Sequence, residues 1–275
     1  MSRLDDAAGL FGPGSVSWRV DREVLVLAGG SCALLMQAAH PMIAAGVSEH
    51  STYATDPFGR LLRTLTSSFD VVFGSRTRAE ATIRRVNAIH SAVRGEMPGG
   101  GRYSALDPEA LLWVHATLVD TALRVYSRFI APLSVDEEQA YHREAARVAV
   151  LLQVPVGDIP ETIGDLRDWM DRMLRSGVVH VTPEARDIAR TVLYPTPWLP
   201  HVIWDAAHLI SLATLAPALR AEYGIGWSAR RERGIDRLAA VSRRVMPLVP
   251  PMLRFAPQAR TAEARVRRAR LHAAG

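Results

Sequence analysis

Helix-start and helix-stop signals recur along the whole chain, and strand alternation does not accompany them. Thr77-Arg78-Ala79-Glu80 reads as a capping box, the Thr77 hydroxyl accepting from the Glu80 amide while Glu80 reaches back. It predicts a helix from Thr77 to about Arg94, stopped before Met97-Pro98-Gly99-Gly100-Gly101. Asp107-Pro108-Glu109 places an N-cap before a proline that needs no N–H, and predicts a helix to about Ile130. Ser134 to Glu137 is a second capping box, for a helix to about Gln153. Ile159-Pro160-Glu161 opens a helix ending at Ser176-Gly177, and Thr182-Pro183-Glu184 one ending near Tyr194. Beyond Pro195, Pro197 and Pro200, helices are expected at about Trp204 to Glu222 and Ala229 to Val245, then a tail helix from Gln258. Pro247, Pro250, Pro251 and Pro257 keep the segment before that tail non-helical. Only Val178 to Val181 alternates, weakly, like a strand. The expectation is an all-α fold: a single large helical domain, globin-like in helix content, over residues 14–259, with an N-terminal arm (1–13) and a basic C-terminal tail (260–275).

With 48% hydrophobic residues in 275, the chain can bury a large core and is not disordered. Its 33 basic residues are all Arg, so base composition of the genome explains them as well as physics does. Charges of both signs are mixed along most of the chain, and no nucleic-acid partner is expected. The single cysteine, Cys32, excludes an internal disulfide and any Cys-rich metal site. It lies in the apolar run Val24 to Val47, where a thiol is inert. That run could span a bilayer by length, but it holds Gly29, Gly30, Ser31, Gln37, His40 and Pro41. It reads better as a buried helix, Val24 to Ala39, followed by a turn at His40-Pro41. The N-terminus has two adjacent acids and no apolar h-region, so it is no signal peptide, and a cytoplasmic location is expected. Arg260 to Arg270 is the one basic run; it reads as a solvated helix end or as a weak peripheral contact with an anionic membrane.

The chain carries no G-x-S-x-G elbow, P-loop, strand-borne G-x-G-x-x-G or H-E-x-x-H. Histidines are more informative. His90 lies mid-helix among Ile83, Val86 and Val93, and His115 among Leu111, Leu112, Leu118 and Val119. Such an imidazole is commonly a core residue bonded to a carbonyl, and when neutral it can also ligate a metal. A short Gly-rich loop joins the two helices, which would let both rings face one cavity. No pair of histidines stands four apart, so a bare zinc or iron site is disfavoured. A haem needs only one protein ligand and an apolar pocket. Arg60, Arg63 and Thr64 stand at i, i+3 and i+4 and share a helical face. They form either a solvated face or a polar cluster over an apolar pocket, suited to an anion, water or O2.

Several of these segments occur in one order. They are Gln37 to Pro41, Ala45 to Ser51, Asp56-Pro57, Arg60-Leu61-Leu62-Arg63-Thr64, Val86 to Arg94, Trp113 to Leu118 and Tyr223 to Ser228. Together, over about Gly14 to Ala259, they resemble the catalytic domain family of MpaB and the rubber oxygenases (latex clearing proteins), in its bacterial branch. The resemblance implies an all-α fold around a pocket for one b-type haem. His90 stands at the proximal iron-ligand position, and Arg60 and Thr64 match the ends of the distal run. That run carries a Lys where this chain has Arg63, and a guanidinium has no lone pair to offer iron. Glu49 corresponds to the family's distal base, with His50 as the competing candidate. His40 and His115 are further residues expected at the cofactor.

These readings imply a haem-dependent oxygenase that uses O2 on a hydrophobic small molecule, isoprenoid or another alkene. Arg60 and Thr64, with His50 or His115, would polarise O2 on the face opposite His90. A non-catalytic haem protein (sensor, carrier or peroxide sink) and a cofactor-free helical interaction module are the alternatives.

Overall fold

The computed structural model describes residues 2–53, 55–195 and 201–274. In chain order the helices are α1 (Arg3–Ala8), α2 (Val16–Asp21), α3 (Gly30–Ala38), α4 (Pro41–His50), α5 (Pro57–Phe73) and α6 (Arg76–Ala92). A hairpin of β1 (Arg94–Glu96) and β2 (Arg102–Ser104) follows, then α7 (Pro108–Phe129), α8 (Val135–Leu151), α9 (Ile163–Arg175) and α10 (Pro183–Leu193). The last third holds α11 (His201–Ala207), α12 (Leu209–Thr214), α13 (Pro217–Glu222), α14 (Ala229–Val245), α15 (Pro251–Arg254) and α16 (Pro257–Ala274). The chain is all-α apart from that antiparallel hairpin, which pairs Gly95 with Tyr103.

The core is organised around α7. Asp107 caps it, its carboxylate accepting from the Ala110 amide at 3.0 Å, and Pro108 occupies the first turn. Apolar residues then recur on nearly every face, so the helix must be surrounded: Trp113, Leu123, Val125 and Phe129 are fully buried. The neighbours are α3, α8, α9, α12 and α14. The Trp113 indole donates to the Met36 carbonyl of α3 at 2.8 Å, which satisfies a buried N–H and ties the two helices. A 3₁₀ turn, Val24–Gly29, also lies on α7. A Cβ on Gly29 would stand 2.7 Å from Thr121 Cγ2 and 2.8 Å from Val125 Cγ2, so only glycine permits this approach.

A second unit is the helical hairpin of α5 and α6, reversed at Gly74-Ser75. Arg78 bonds Asp70 at 2.7 Å and Arg85 bonds Ser67 at 3.4 Å across it. Its closed end packs on the chain termini: Trp18 meets Phe73 edge to face, with centroids 5.1 Å apart, over buried Ala256, Ala259 and Ala262. The N-terminal arm and the C-terminal helix lie against each other, Arg265 donating to the Ala7 carbonyl at 3.1 Å and the Phe73 carbonyl at 2.7 Å.

Several local expectations shift. The cap of α6 is Ser75, whose hydroxyl accepts from Arg78; Thr77 instead bonds Asp6 of the N-terminal arm. α9 starts from Thr162, two residues beyond Pro160, because the Thr162–Asp165 capping box takes over. Ser134, Thr182 and Asp107 cap as expected. The span Trp204 to Glu222 breaks at His208 and again at Ala216, where the following Pro217 forces extended backbone. Val178 to Val181 forms no strand, whereas the segment across Gly99-Gly100-Gly101 does, on strands too short to alternate visibly. The stops at Pro197 and Pro200 lie outside the described residues. Val24 to Ala39 is only partly buried: Cys32, Leu35, Met36 and Ala39 are in the core, while Val24 and Leu27 are exposed on the 3₁₀ turn. Among the described residues no single helix is long and apolar enough to cross a membrane. Val24–Ala38 and Pro41–His50 pass together by length and composition but are bent by 105°.

Glu23, with no exposure, accepts three hydrogen bonds of 2.7–3.0 Å from Arg254, which joins the first turns of the fold to the last. Arg254→Met, which strands that carboxylate, is expected to cost about 3–5 kcal/mol in urea unfolding. Glu23→Gln combined with Arg254→Met should recover at least half of the loss.

Candidate functional site

The site is built from the open end of the α5–α6 hairpin and the end of α4. Asp56 starts α5, its carboxylate accepting from the Gly59 amide at 2.9 Å, and the first turns present Arg60. Thr82–Asp70 and Arg85–Ser67 are cross-bonded pairs whose residue numbers each sum to 152. Continued to the open end, that antiparallel register sets Arg60 opposite the last turn of α6, where His90 lies. Arg60 is half-buried, and no carboxylate among the described residues pairs with it. Burial, and to a lesser degree Arg63, press its pKa downward.

His90 is half-buried, and its Nδ1 is enclosed with no partner. Burial lowers its pKa, so the ring is neutral at pH 7 and keeps a lone pair. Among the described residues no group of three His, Cys, Asp or Glu is placed to hold a metal ion. A haem instead requires only one protein ligand, because its macrocycle supplies the others, and the neutral His90 imidazole can serve as that ligand. His90 therefore fits the ligand role that the family resemblance implies. Large apolar side chains flank this end of the hairpin and are exposed: Phe58, Leu61, Leu62 and Ile89.

The chain leaves α6 at Val93 and lies on α4: a Cβ on Gly46 would be 3.5 Å from Val93 and 3.5 Å from Tyr103. Here Glu49 and His50, at the exposed end of α4, meet on one phenol. Tyr103, 3% exposed, donates a hydrogen bond to Glu49 Oε2 and lies 3.0 Å from His50 Nε2. The phenol has one proton, so the arrangement that satisfies all three has His50 Nε2–H donating to the Tyr103 oxygen. Burial and the Glu49 carboxylate push the Tyr103 pKa up to about 12. Gly95 makes room: a Cβ there would stand 2.5 Å from the Tyr103 hydroxyl and 2.8 Å from Glu49 Oε2. Sequence reasoning missed Tyr103, since its only signal was a tyrosine after a Gly-rich turn.

Other expected site residues lie apart. Arg63 and Thr64 are exposed. Arg63 bonds Asp56 at 3.0 Å and Thr52 at 2.9 Å, and the Thr64 hydroxyl donates to the Arg60 carbonyl at 3.0 Å. Arg60, Arg63 and Thr64 thus do not form one polar cluster, because Arg63 is drawn to the helix cap. His115 does not share a cavity with His90: α6 packs mainly on α5 and α1, while α7 is enclosed by the core helices. His115 faces His142, with ring centroids 6.5 Å apart, and its Nε2 is enclosed and unpartnered. His40 is 1% exposed at the corner between α3 and α4. Both its ring nitrogens lack hydrogen-bond partners, and Nε2 lies 3.8 Å from Glu109. Cys32 is buried, and burial raises its pKa to about 12, which accords with an inert thiol. A further cavity of about 260 Å3 lies between α10 and the Tyr223 to Gly226 turn, with Arg186, Arg190 and Arg231 on its walls.

The described residues form a helical domain with a neutral histidine, His90, and an unpaired arginine, Arg60, at the open end of one hairpin. Residues 18–244 match the family described as ER-bound oxygenase mpaB/B'/Rubber oxygenase, catalytic domain, and the chain belongs to that family. It is also 26% identical over 223 residues to uncharacterized proteins of Mycobacterium tuberculosis and Mycobacterium bovis, covering 79% of this chain and 87% of each relative. No solved structure matches it.

Burial and the His142 ring lower the His115 pKa from 6.5 to about 4. The folded protein therefore takes up this proton less readily than the unfolded chain. The resulting stabilisation is intact above pH 6.5 and is lost as pH falls toward 4, a loss of about 3 kcal/mol. Urea unfolding at a series of pH values is expected to show this slope, and His115→Phe should flatten it.

Proposed function

We propose that this chain is a b-type haem-dependent oxygenase acting on a hydrophobic small molecule, isoprenoid or another alkene. What carries the reading is His90, neutral and with an enclosed unpartnered nitrogen, in register with unpaired Arg60 in a chain of an oxygenase family. His90 would hold the iron, and haem, when bound, supplies the binding and activation of O2.

The chain's own residues have distinct tasks. Arg60 cannot act as a base; held without a counter-acid, its guanidinium offers a fixed positive charge where negative charge develops. Tyr103 retains its proton and orients Glu49, whose carboxylate is the group able to accept one from substrate. His50 braces the same phenol from its other side. Phe58, Leu61 and Ile89 give an apolar substrate a surface on which to shed water.

Protein purified after haem supplementation should show a Soret band; a colourless, correctly folded protein would overturn the reading. His90→Ala is expected to lose that band while His115→Ala keeps it, and the reverse would reassign the ligand. Arg60→Ala should retain haem but slow alkene-dependent O2 uptake by roughly 10²–10³-fold. Haem binding with no uptake on any alkene would leave a sensor or carrier.

A further inference from the structure

The far end of the chain presents a rigid apolar surface that the proposed chemistry does not use. Along α14, Leu238, Val241 and Val245 follow one another at helical spacing and are all exposed. Their stripe runs on into Leu248, Met252 and Leu253, which are 79%, 71% and 72% exposed. An adjoining face of α14, with Ile235 and Ala239, is the one that packs against the core. Scattered exposed leucines need no explanation, but six large apolar side chains exposed within residues 238–253 do.

Their exposure is built in. Pro247, Pro250 and Pro251 stiffen the segment, and its base is clamped. Arg254 is held by the buried Glu23 and donates to the Met246 carbonyl at 3.2 Å. Phe255 lies under Arg22, 4.0 Å from guanidinium to ring centroid, and the Ala256 amide bonds the Arg22 carbonyl at 2.8 Å. Leu248, Met252 and Leu253 therefore cannot fold back to cover themselves.

The border is basic. Arg230, Arg237 and Arg244 stand seven residues apart and form one row along the flank of the stripe. None of them has an ion-pair partner among the described residues, whereas both acids of α14 are engaged, Glu232 and Asp236 with Arg128. A second copy of this chain laid on the patch would bring these arginine rows together. An anionic bilayer would neutralise them while its acyl region receives the leucines and methionine. We propose that the α14–α15 face is a membrane-docking surface selective for anionic lipid, with Leu248, Met252 and Leu253 as the inserted wedge.

This places the membrane contact on α14–α15, not on the tail run Arg260 to Arg270. In α16 the buried positions are Ala259, Ala262 and Val266, and Arg265 is spent on backbone carbonyls.

The test is co-sedimentation of the full chain with phosphatidylcholine vesicles, with and without phosphatidylserine, at low and high salt. Binding is expected only with phosphatidylserine and should weaken with salt. Leu248→Ser with Met252→Ser and Leu253→Ser should reduce it at least about tenfold. Arg237→Gln with Arg244→Gln should reduce it by roughly twentyfold. Arg267→Gln with Arg268→Gln and Arg270→Gln should leave it unchanged. Circular dichroism and urea midpoints establish that each variant is folded, and the charge pair tests the proposal even if the apolar triple misfolds. Absence of binding to phosphatidylserine vesicles, or loss only in the tail variant, would overturn the proposal. So would a dimer by light scattering that the apolar triple converts to monomer.

Discussion

The core of this structure is arranged around the need to cover α7. A helix of 22 residues that is apolar on almost all sides cannot lie on a surface, so other helices must close over it. Fully burying each large side chain contributes about 1.5–3 kcal/mol, and Trp113, Leu123 and Phe129 set the scale of what would be lost by leaving α7 uncovered. The bend at His40-Pro41 follows from this demand: α3 must run along α7, while α4 must leave it. Gly29 marks how closely the covering is drawn, since a single methyl would force Thr121 and Val125 aside.

The candidate site belongs to the part of the molecule that escapes this demand. The α5–α6 hairpin is anchored at its closed end, on Trp18, Phe73 and the alanines of α16, and its open end projects past the core. There a half-buried guanidinium goes without a carboxylate and an enclosed imidazole nitrogen goes without a partner. Buried polar groups normally find partners, so each such group calls for a reason. His40 and His115 are left unpartnered in the core as well, and what sets His90 apart is its place at the open end of the hairpin among exposed apolar side chains. The Glu49–Tyr103–His50 cluster at the adjoining end of α4 is the contrasting case, with its polar groups mutually satisfied and so fixed in place.

The proposed docking face follows a different logic. It rests on Arg254 and Glu23, an ion pair whose partners are 231 residues apart in sequence. That pair holds a proline-stiffened turn outward, so apolar side chains are presented to the surroundings instead of collapsing into the core. An enzyme with an apolar substrate gains from such a surface, since the substrate partitions into the phase that the surface touches.

Local chemistry was legible in the sequence. Asp107, Ser134 and Thr182 cap the helices they were expected to cap, because an oxygen three residues before a free amide acts through nearest neighbours alone. The all-α class followed from the same signals, and His90 and Arg60 were recognisable from their order within a family pattern. What the sequence could not decide was which polar groups would find partners. Ser75 displaced Thr77 as a cap because Asp6, 71 residues away, claims Thr77. Arg63 looked equivalent to Arg60 by helical spacing, but the Asp56 carboxylate draws it to the surface. His115 and His90 looked alike on their apolar stripes, and only packing separates them, one enclosed in the core beside His142 and one at the open end of a hairpin. Tyr103 had no signal beyond following a Gly-rich turn, since its role exists only where β2 crosses the end of α4. Backbone capping is a contact between near neighbours and is written in the chain. Partnership between distant polar groups is set by how helices pack, and that the tertiary structure decides.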